Sequence, residues 1–223
     1  MMQYGAAMSS FNYYAGAADK FQWSDIRDGI YGQTLVTREP IGVVAAVAAW
    51  NVPFFLAANK LGPALLAGCT VVLKPAAETP LSVFAMAQAF ADAGLPEGVL
   101  NIVTGLGEEA GAALAAHPGI DFISFTGSNE VGTLVQQAAA KNAVKCVLEL
   151  GGKSPQIVFA DADLDAAIPA ILNAIVQNAG QTCSAGSRVL IEQTLYEPLL
   201  ERLGKAFENL RVGPAAMDLD VAH

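Results

Sequence analysis

Short apolar runs recur along this chain, and each is followed by a segment of helical character. The first run, Ile41–Ala49, is rich in β-branched residues and lies between Pro40 and Asn51. An uninterrupted run of this kind is typical of a strand that is covered on both faces, as the strands of parallel sheets are. Strands that alternate with helices predict βαβ units. The pattern therefore limits the fold to the α/β class.

The other predicted strands share the same short apolar character, and together the set is Ile41–Ala49, Thr70–Lys74, Asn101–Val103, Ile120–Phe125, Val144–Glu149 and Ser154–Phe159. Proline, N-capping and glycine signals mark the ends of the intervening helices. Pro53 opens the first of these and Gly68 closes it, while Thr79 is the expected N-cap of the second. We expect a Rossmann-like parallel sheet with helices on both faces.

The double glycine Gly151-Gly152 is the predicted domain boundary. Residues 1–150 form the first domain, and residues 151–223 begin a second α/β domain with a helix, a strand and another helix, predicted at Leu164–Asn178, Arg188–Ile191 and Leu195–Ala206. Ahead of the first strand, Ser10–Ala15 and Asp19–Trp23 are predicted helical, with a loop around Asp28. The last residues, Asp218–His223, show no closing element, which is typical of a piece of a longer chain.

Composition excludes several classes of protein. Twelve Lys and Arg stand against 21 Asp and Glu, whereas a nucleic-acid partner requires a basic face. Two histidines offer no ligand cluster for a metal site. The three cysteines, Cys69, Cys146 and Cys183, are too few and too scattered for a disulfide framework.

The uncharged stretch Ile41–Asn59 approaches the length of a membrane span. Asn51 and Pro53 interrupt it with a polar amide and a residue without a backbone N–H, so a buried strand, a turn and a helix are the better interpretation. Met1–Ser10 has no positive charge ahead of an apolar run, which differs from a signal peptide. We expect no membrane association and a cytoplasmic location.

Polar and small residues follow the predicted strands, where open parallel sheets bind their ligands. They are Asn51, Lys74, Gly105, Thr126-Gly127-Ser128 and Glu149. Gly105–Gly111 has one residue too many for a dinucleotide fingerprint and carries two carboxylates, so an ordinary acidic turn is the stronger interpretation. Gly127 and Ser128, with Gly132 one turn later, fit a phosphate better, because hydroxyls and a helix N-terminus favour anions.

Cys183 lies in the polar loop Gly180–Gly186, whose small residues leave room for a substrate at the sulfur. Cys69 and Cys146 lie in or beside apolar strands and are expected to be inert packing residues. An unreactive loop thiol is the alternative for Cys183. Neither histidine suits a cysteine–histidine pair, because His117 is better explained as a helix cap and His223 is terminal.

Glu149 ends an apolar strand beside the flexible Gly151-Gly152. A carboxylate in that place could be desolvated enough to act as a general base. A structural carboxylate that caps the following turn is an equally good interpretation of this segment alone.

Several segments together resemble the aldehyde dehydrogenase superfamily. Glu149-Leu-Gly-Gly-Lys-Ser-Pro and Gly180-Gln-Thr-Cys183 look like its two signatures, with Glu149 and Cys183 separated by 34 positions. Further segments resemble the family in the expected order, namely Tyr13-Tyr-Ala-Gly-Ala-Ala-Asp-Lys20, Arg38-Glu-Pro-Ile-Gly-Val-Val, Trp50-Asn51-Val-Pro, Gly62-Pro-Ala-Leu-Leu-Ala-Gly-Cys-Thr-Val-Val-Leu-Lys74-Pro and Phe125-Thr-Gly-Ser-Asn-Glu-Val-Gly132. The resemblance covers essentially the whole chain.

The resemblance implies oxidation of an aldehyde to a carboxylic acid with NAD(P)+. Cys183 would be the nucleophile that forms a thiohemiacetal, and the Asn51 amide with the Cys183 backbone N–H would hold the oxyanion. Glu149 would activate the water that hydrolyses the resulting thioester. Residues 1–150 would be the NAD(P)-binding domain, and residues 151–223 the first part of the catalytic domain.

The resemblance also assigns the cofactor site. Lys74 would contact the adenine ribose, and Trp50 would line the cofactor cleft. Ser128 with its glycine neighbours would hold the pyrophosphate, so the cofactor residues are Trp50, Lys74, Gly105, Gly127, Ser128 and Gly132. The partner is a small aldehyde, and a homo-oligomer is expected for the full-length protein.

Two features differ from the family pattern. Ala77 stands where strongly NAD-preferring members have a glutamate, and Glu78 follows one place later. If Glu78 cannot reach the ribose, we expect measurable use of NADP+. Family members are also more than twice as long, so a truncated chain that acts at most as a cofactor-binding module is one alternative. A CoA-acylating relative is another, although such enzymes generally lack the glutamate base.

Overall fold

The computed structural model describes residues 2–214, 217 and 221–222. The chain divides into two compact units, Met1–Leu150 and Gly151–His223, and each is described by itself. Most of residues 218–223, at which the sequence shows no closing element, lie outside the described residues.

The first unit is built on a five-stranded sheet in which all neighbouring strands are parallel. The strands are β3 Val43–Val47, β4 Thr70–Lys74, β5 Leu100–Ile102, β6 Phe122–Thr126 and β7 Lys145–Glu149. Their spatial order is β5-β4-β3-β6-β7, so that Val44 of β3 lies between Val71 and Phe122. Thr70–Lys74 matches its predicted bounds, and the other strands shift by one or two residues at their ends.

Helices cover both faces of this sheet. They are α1 Met2–Ala17, α2 Pro53–Leu66, α3 Leu81–Asp92, α4 Ala112–Ala116 and α5 Asn129–Ala140. Side chains alternate across a strand, and accordingly Val44 and Ala46 pack in one apolar cluster with α1, α2 and α3. Ala45 belongs to a second cluster with α4 and α5. The α/β class with a helix-flanked parallel sheet is therefore confirmed.

The start of β3 is fixed by a contact that the sequence pattern did not reveal. Gly42 has a φ of 120°, and a Cβ there would lie 2.1 Å from Oδ2 of Asp121. The same oxygen accepts a hydrogen bond of 2.7 Å from the Val43 N–H. Because the Asp121 carboxylate binds the first N–H of β3 and ends the hydrogen bonding of the strand there, β3 begins two residues later than the predicted Ile41.

Two predictions in the first unit are wrong. Asp19–Trp23 is not helical, and the region around Asp28 is not a loop, because β1 Ser24–Gly29 and β2 Gly32–Thr37 form an antiparallel hairpin. Its two-residue turn, Ile30-Tyr31, is not one of the usual hairpin dipeptides.

The helix start expected at Thr79 is also displaced. The N-cap of α3 is Pro80, and the buried Thr79 hydroxyl finds no hydrogen-bond partner among the described residues. The other capping predictions agree with the structure: Pro53 is in the first turn of α2, and Gly68 follows that helix with a φ of 78°.

The second unit contains the parallel strands β8 Pro155–Val158 and β9 Arg188–Ile191. Two helices, α6 Leu164–Val176 and α7 Tyr196–Glu208, pack with them through the buried residues Val158, Ile168, Ile171, Leu199 and Leu203. A short parallel pair, β10 Val212–Gly213 and β11 Val221–Ala222, follows. Helix α6 ends before the predicted Asn178, which has a left-handed backbone conformation.

No helix within the described part of the chain is long and apolar enough to cross a membrane. The uncharged stretch Ile41–Asn59 consists of β3, a bend at Trp50-Asn51 and the first half of α2.

Candidate active site

The strand order predicts a ligand-binding crevice between β3 and β6. From β3 the chain proceeds to β4 and β5 on one side, and then crosses to β6 and β7 on the other. At such a reversal, helices leave the carboxyl ends of adjacent strands in opposite directions and open a crevice. Asn51 follows β3 and Gly127-Ser128 follow β6, so residues predicted for two different roles flank one crevice.

Trp50 and Asn51 form the bend that joins β3 to α2. The Asn51 carbonyl accepts a 3.4 Å hydrogen bond from Nε2 of Gln3 in α1. The Trp50 side chain is 47% exposed. A large aromatic surface is therefore available at the carboxyl edge of the sheet, as the proposed contact with a cofactor requires.

Lys74 is the last residue of β4 and is only 4% exposed. Its Nζ donates to the Pro75 carbonyl at 3.1 Å. Burial lowers the pKa of Lys74, and the negative charges of Glu78 and Glu108 act in the opposite direction. Two carboxylates from different segments therefore act on this ammonium, and sequence analysis identified only Glu78.

Gly105 is held in a backbone conformation that favours glycine. Its φ is 139°, and a Cβ there would lie 2.9 Å from Cβ of Ala110. The following Gly107–Gly111 is a π-helical turn with Glu108 and Glu109 at its start. Lys74 lies against the end of this turn, because a Cβ on Gly111 would lie 3.5 Å from its Cδ and Cε.

Gly127 and Ser128 are the best-defined part of the crevice. The Gly127 N–H donates to the Glu149 carbonyl at 3.1 Å, which ties the segment after β6 to the end of β7. Ser128 is the N-cap of α5, and its Oγ accepts from the Val131 N–H at 3.2 Å. The Ser128 hydroxyl proton remains available for an anion at this helix N-terminus.

Gly132 is buried one turn into α5, where its N–H donates to the Ser128 carbonyl at 2.9 Å. A Cβ on Gly132 would lie 2.5 Å from Cδ2 of Leu150. Gly132 therefore has a packing role, because its lack of a side chain lets α5 lie close to Leu150, which follows β7. This is the task of the third glycine in dinucleotide-binding turns.

Glu149 ends β7, and its side chain is exposed. Of the two interpretations of this segment, a desolvated carboxylate is therefore not the one that the first unit shows. The Glu149 backbone carbonyl is held by the bond from Gly127.

Lys60 is a candidate that sequence analysis missed. It lies in α2, is 6% exposed, and donates to Oγ of Ser124 at 3.1 Å and to Oγ1 of Thr126 at 2.9 Å. Burial lowers the pKa of Lys60 to about 8, against the opposing field of Glu149. The signal was present, because Lys60 is the one charged residue between positions 41 and 73.

In the second unit, Cys183 is exposed in the loop between α6 and β9. Cys69 is buried and Cys146 is half-buried, with a pKa that burial raises. The three thiols thus divide as the sequence predicts, with Cys183 the accessible one.

The loop around Cys183 has an unusual backbone. Asn178, Ala179 and Gly180 have consecutive positive φ values of 52°, 55° and 77°. The Cys183 carbonyl lies close to Gly152, where a Cβ would come within 3.0 Å of it. A side chain at position 152 would therefore displace the segment that carries the thiol.

Comparison with known proteins identifies the family. Residues 1–222 match the aldehyde dehydrogenase family. The chain belongs to this family. It is 50% identical over 197 residues to human retinal dehydrogenase 2, an alignment that covers 87% of this chain and 38% of that protein.

Solved aldehyde dehydrogenase structures have the same fold. A Burkholderia cenocepacia protein described as a putative aldehyde dehydrogenase is 58% identical, with a TM-score of 0.95 over 98% of this chain and 46% of its own. The Mycobacterium tuberculosis aldehyde dehydrogenase in complex with NAD+ is 50% identical, with a TM-score of 0.95 over 100% of this chain and 46% of its own. The resemblance noted from the motifs is thereby confirmed, and the chain spans less than half the length of the relatives it matches.

Proposed function

We propose that this chain is part of an NAD(P)+-dependent aldehyde dehydrogenase that converts an aldehyde to a carboxylic acid through adducts on Cys183. The observation that carries the proposal is the exposed Cys183 in a backbone-constrained loop of a chain of this family. The first unit supports it independently, since the buried Lys74, the exposed Trp50 and the capped start of α5 all lie at or after the carboxyl ends of strands in one sheet.

Cys183 would attack the carbonyl carbon as the thiolate, its proton having passed to solvent, so that a C–S bond forms, the C=O π bond breaks and the oxygen becomes an oxyanion. The Asn51 side-chain amide and the Cys183 N–H would donate to that oxygen, which stabilises the charge where it develops. Small neighbours such as Ser184 and Ala185 leave the sulfur open to a substrate.

The first unit fits a dinucleotide. Gly105 and Gly127 follow β5 and β6, and neither carries a side chain that would keep a ligand away from the backbone. Ser128 and the start of α5 would hold the pyrophosphate, Lys74 the adenine ribose, and Trp50 would line the cleft. The chemistry that NAD(P)+ supplies when bound is acceptance of a hydride, which oxidises the thiohemiacetal to a thioester.

Glu149 would take a proton from the water that attacks the thioester carbon; the C–S bond then breaks and the acid is released. Lys60 lies near enough for the charge of Glu149 to oppose the effect of burial on the pKa of Lys60, so the two groups are electrostatic neighbours in the first unit.

Aldehyde oxidation by the purified protein, followed as NADH or NADPH absorbance, tests the proposal with a panel of aliphatic, aromatic and semialdehyde substrates. Cys183→Ala should abolish the reaction, whereas Cys146→Ala, a matched change at a half-buried thiol, should preserve it. Retained oxidation in Cys183→Ala would refute the assignment.

Two other results would redirect the proposal. An acyl-CoA product in the presence of CoA would identify a CoA-acylating enzyme and would remove Glu149 from its role. Binding of NAD+ by calorimetry without oxidation of any aldehyde would indicate that the 223 residues act only as a cofactor-binding module. The cytoplasmic location and the homo-oligomer expected from the resemblance remain predictions.

A further inference from the structure

The side chain of Gln156 in β8 joins three segments of the second unit. Its Nε2 donates to the Gly186 carbonyl at 2.8 Å and to the Ile171 carbonyl at 3.4 Å. Gly186 ends the loop that carries Cys183, and Ile171 lies in α6. One half-buried amide therefore ties this loop to a strand and to a helix.

The lack of a side chain at Gly186 makes room for this contact. A Cβ on Gly186 would lie 2.5 Å from Nε2 of Gln156, so no other residue fits beside the amide. The Gly186 N–H donates to the Ala174 carbonyl at 3.0 Å, and both Ala185 and Gly186 are buried. The carboxyl end of the loop is therefore anchored through both backbone groups of one residue, Gly186.

The amino end of the loop is constrained differently. It leaves α6 through the left-handed residues Asn178, Ala179 and Gly180, and the Gln181 N–H donates back to the Asn178 carbonyl at 3.0 Å. Between the two ends, the Ala185 N–H donates to the Thr182 carbonyl at 3.2 Å, which closes a turn around Cys183. The exposed thiol is thus carried on a turn that ends at Ala185, one residue before the Gly186 held by Gln156.

We propose that Gln156 is a positioning residue for Cys183, which fixes the turn that carries the thiol by binding the Gly186 carbonyl. The proposal rests on the proposed role of Cys183 as nucleophile. Gln156 does not touch the thiol itself; it acts through Gly186. A reacting group must be held in a narrow range of orientations, and supporting hydrogen bonds from rigid elements provide that restraint.

The test uses the 223-residue chain and Gln156→Glu, which keeps the shape but replaces two N–H donors with an oxygen facing two carbonyls. We expect amide hydrogen exchange, measured by mass spectrometry, to be about tenfold faster in peptides that cover residues 181–187. Exchange in β9 and α7 should stay unchanged. Iodoacetamide should modify Cys183 roughly threefold faster relative to Cys146, because only the first thiol is on the loosened turn.

Gln193→Glu is the matched control, since the same chemical change is made at an exposed position of the second unit. Gly186→Ala supplies a second route to the same effect, because its methyl group displaces the Gln156 amide. In the double variant Gly186→Ala with Gln156→Ala, the exchange rate should match that of Gly186→Ala alone, since one contact is lost only once.

Unchanged exchange and unchanged alkylation ratio in folded Gln156→Glu and Gly186→Ala would overturn the inference. Faster exchange throughout the second unit, or failure of both variants to fold, would overturn it as well, because the contact would then be a general stabiliser. These measurements need no turnover. Retained oxidation in Cys183→Ala, which would refute the proposed function, is therefore a separate result.

Discussion

Lys60 in α2 donates to Oγ1 of Thr126 at the end of β6, over 2.9 Å. The bond carries a charged side chain into the interior of the first unit, where it is only 6% exposed. Burial lowers the pKa of Lys60 from 10.5 to about 8. Between these two values the unfolded chain binds a proton that the folded chain has released, so stability rises with pH across this window.

The first prediction concerns this pH dependence. Each pH unit between about 8 and 10 should add about 1 kcal/mol to the free energy of unfolding through Lys60. Lys60→Met removes this contribution. The free energy of unfolding of wild type minus that of the variant should therefore rise by that amount with each pH unit. Urea denaturation at pH 7, 8, 9 and 10 measures the difference, in which contributions common to the two proteins cancel.

Lys141→Met is the control for the Lys60 experiment, because Lys141 is exposed at the end of α5. Its curve should run parallel to that of wild type. A Lys60→Met curve parallel to wild type would mean that the ammonium is not buried as described.

The second prediction separates two tasks of Ser128. Its Oγ caps α5 by accepting from Val131, and its hydroxyl is proposed to donate to the pyrophosphate. Ser128→Ala should lower the free energy of unfolding by about 1 kcal/mol and weaken NAD+ binding. Ser128→Asp should keep the cap and the stability, yet bind NAD+ even more weakly, because its carboxylate repels the phosphates.

Calorimetric titration with NAD+ and thermal unfolding test the Ser128 variants, and Ser128→Thr should preserve both properties. Equal NAD+ affinity for the threonine and aspartate variants would exclude a phosphate at this helix N-terminus.

The third prediction concerns the choice of cofactor. Ala77 removes one carboxylate from the expected ribose site, but Glu78 and Glu108 both act on Lys74. Their charges would repel a 2′-phosphate. Glu108→Gln together with Glu78→Gln should therefore improve the affinity for NADP+ relative to NAD+ by roughly tenfold, since an exposed charge pair contributes up to about 1 kcal/mol.

Glu109→Gln is the control for the cofactor experiment, since Glu109 neighbours Glu108 but does not act on Lys74. The dissociation constants of both cofactors should be compared at low and at physiological salt, because screening weakens the repulsion. An NADP+ to NAD+ ratio that does not change in the double variant would place the 2′ position away from both carboxylates.

The apolar runs predict most of the first unit, because a buried parallel strand can be identified from its own short run of β-branched residues. Thr70–Lys74 and Arg188–Ile191 have their predicted bounds. The hairpin β1–β2 was missed because its strands are largely exposed and its turn is Ile30-Tyr31. Neither the period of apolar residues nor a turn dipeptide was there to signal it.

The candidate site was predictable where one residue marks the end of a strand, as Asn51, Lys74, Ser128 and Glu149 do. Residues that act through three-dimensional proximity were not. Glu108 acts on Lys74 from another segment, and Gln156 contacts Gly186 across 30 positions. Lys60 lies between these cases, because a lone charge in an uncharged stretch is visible in the sequence but its hydroxyl partners are not.

The fourth prediction concerns the end of α5. The Ala143 N–H donates to Ala140 and the Val144 N–H to Ala139, with a φ of 56° at Ala143. This left-handed cap usually carries glycine, because a Cβ costs roughly 1 kcal/mol in that conformation. Ala143→Gly should raise the free energy of unfolding by less than about 1 kcal/mol, since glycine also loses more backbone entropy on folding.

Ala140→Gly, the same change at a helical residue, is the control and should lower the free energy of unfolding. Urea denaturation of the three proteins at pH 7 measures both changes, and a destabilised Ala143→Gly would show that the helix ends in another conformation.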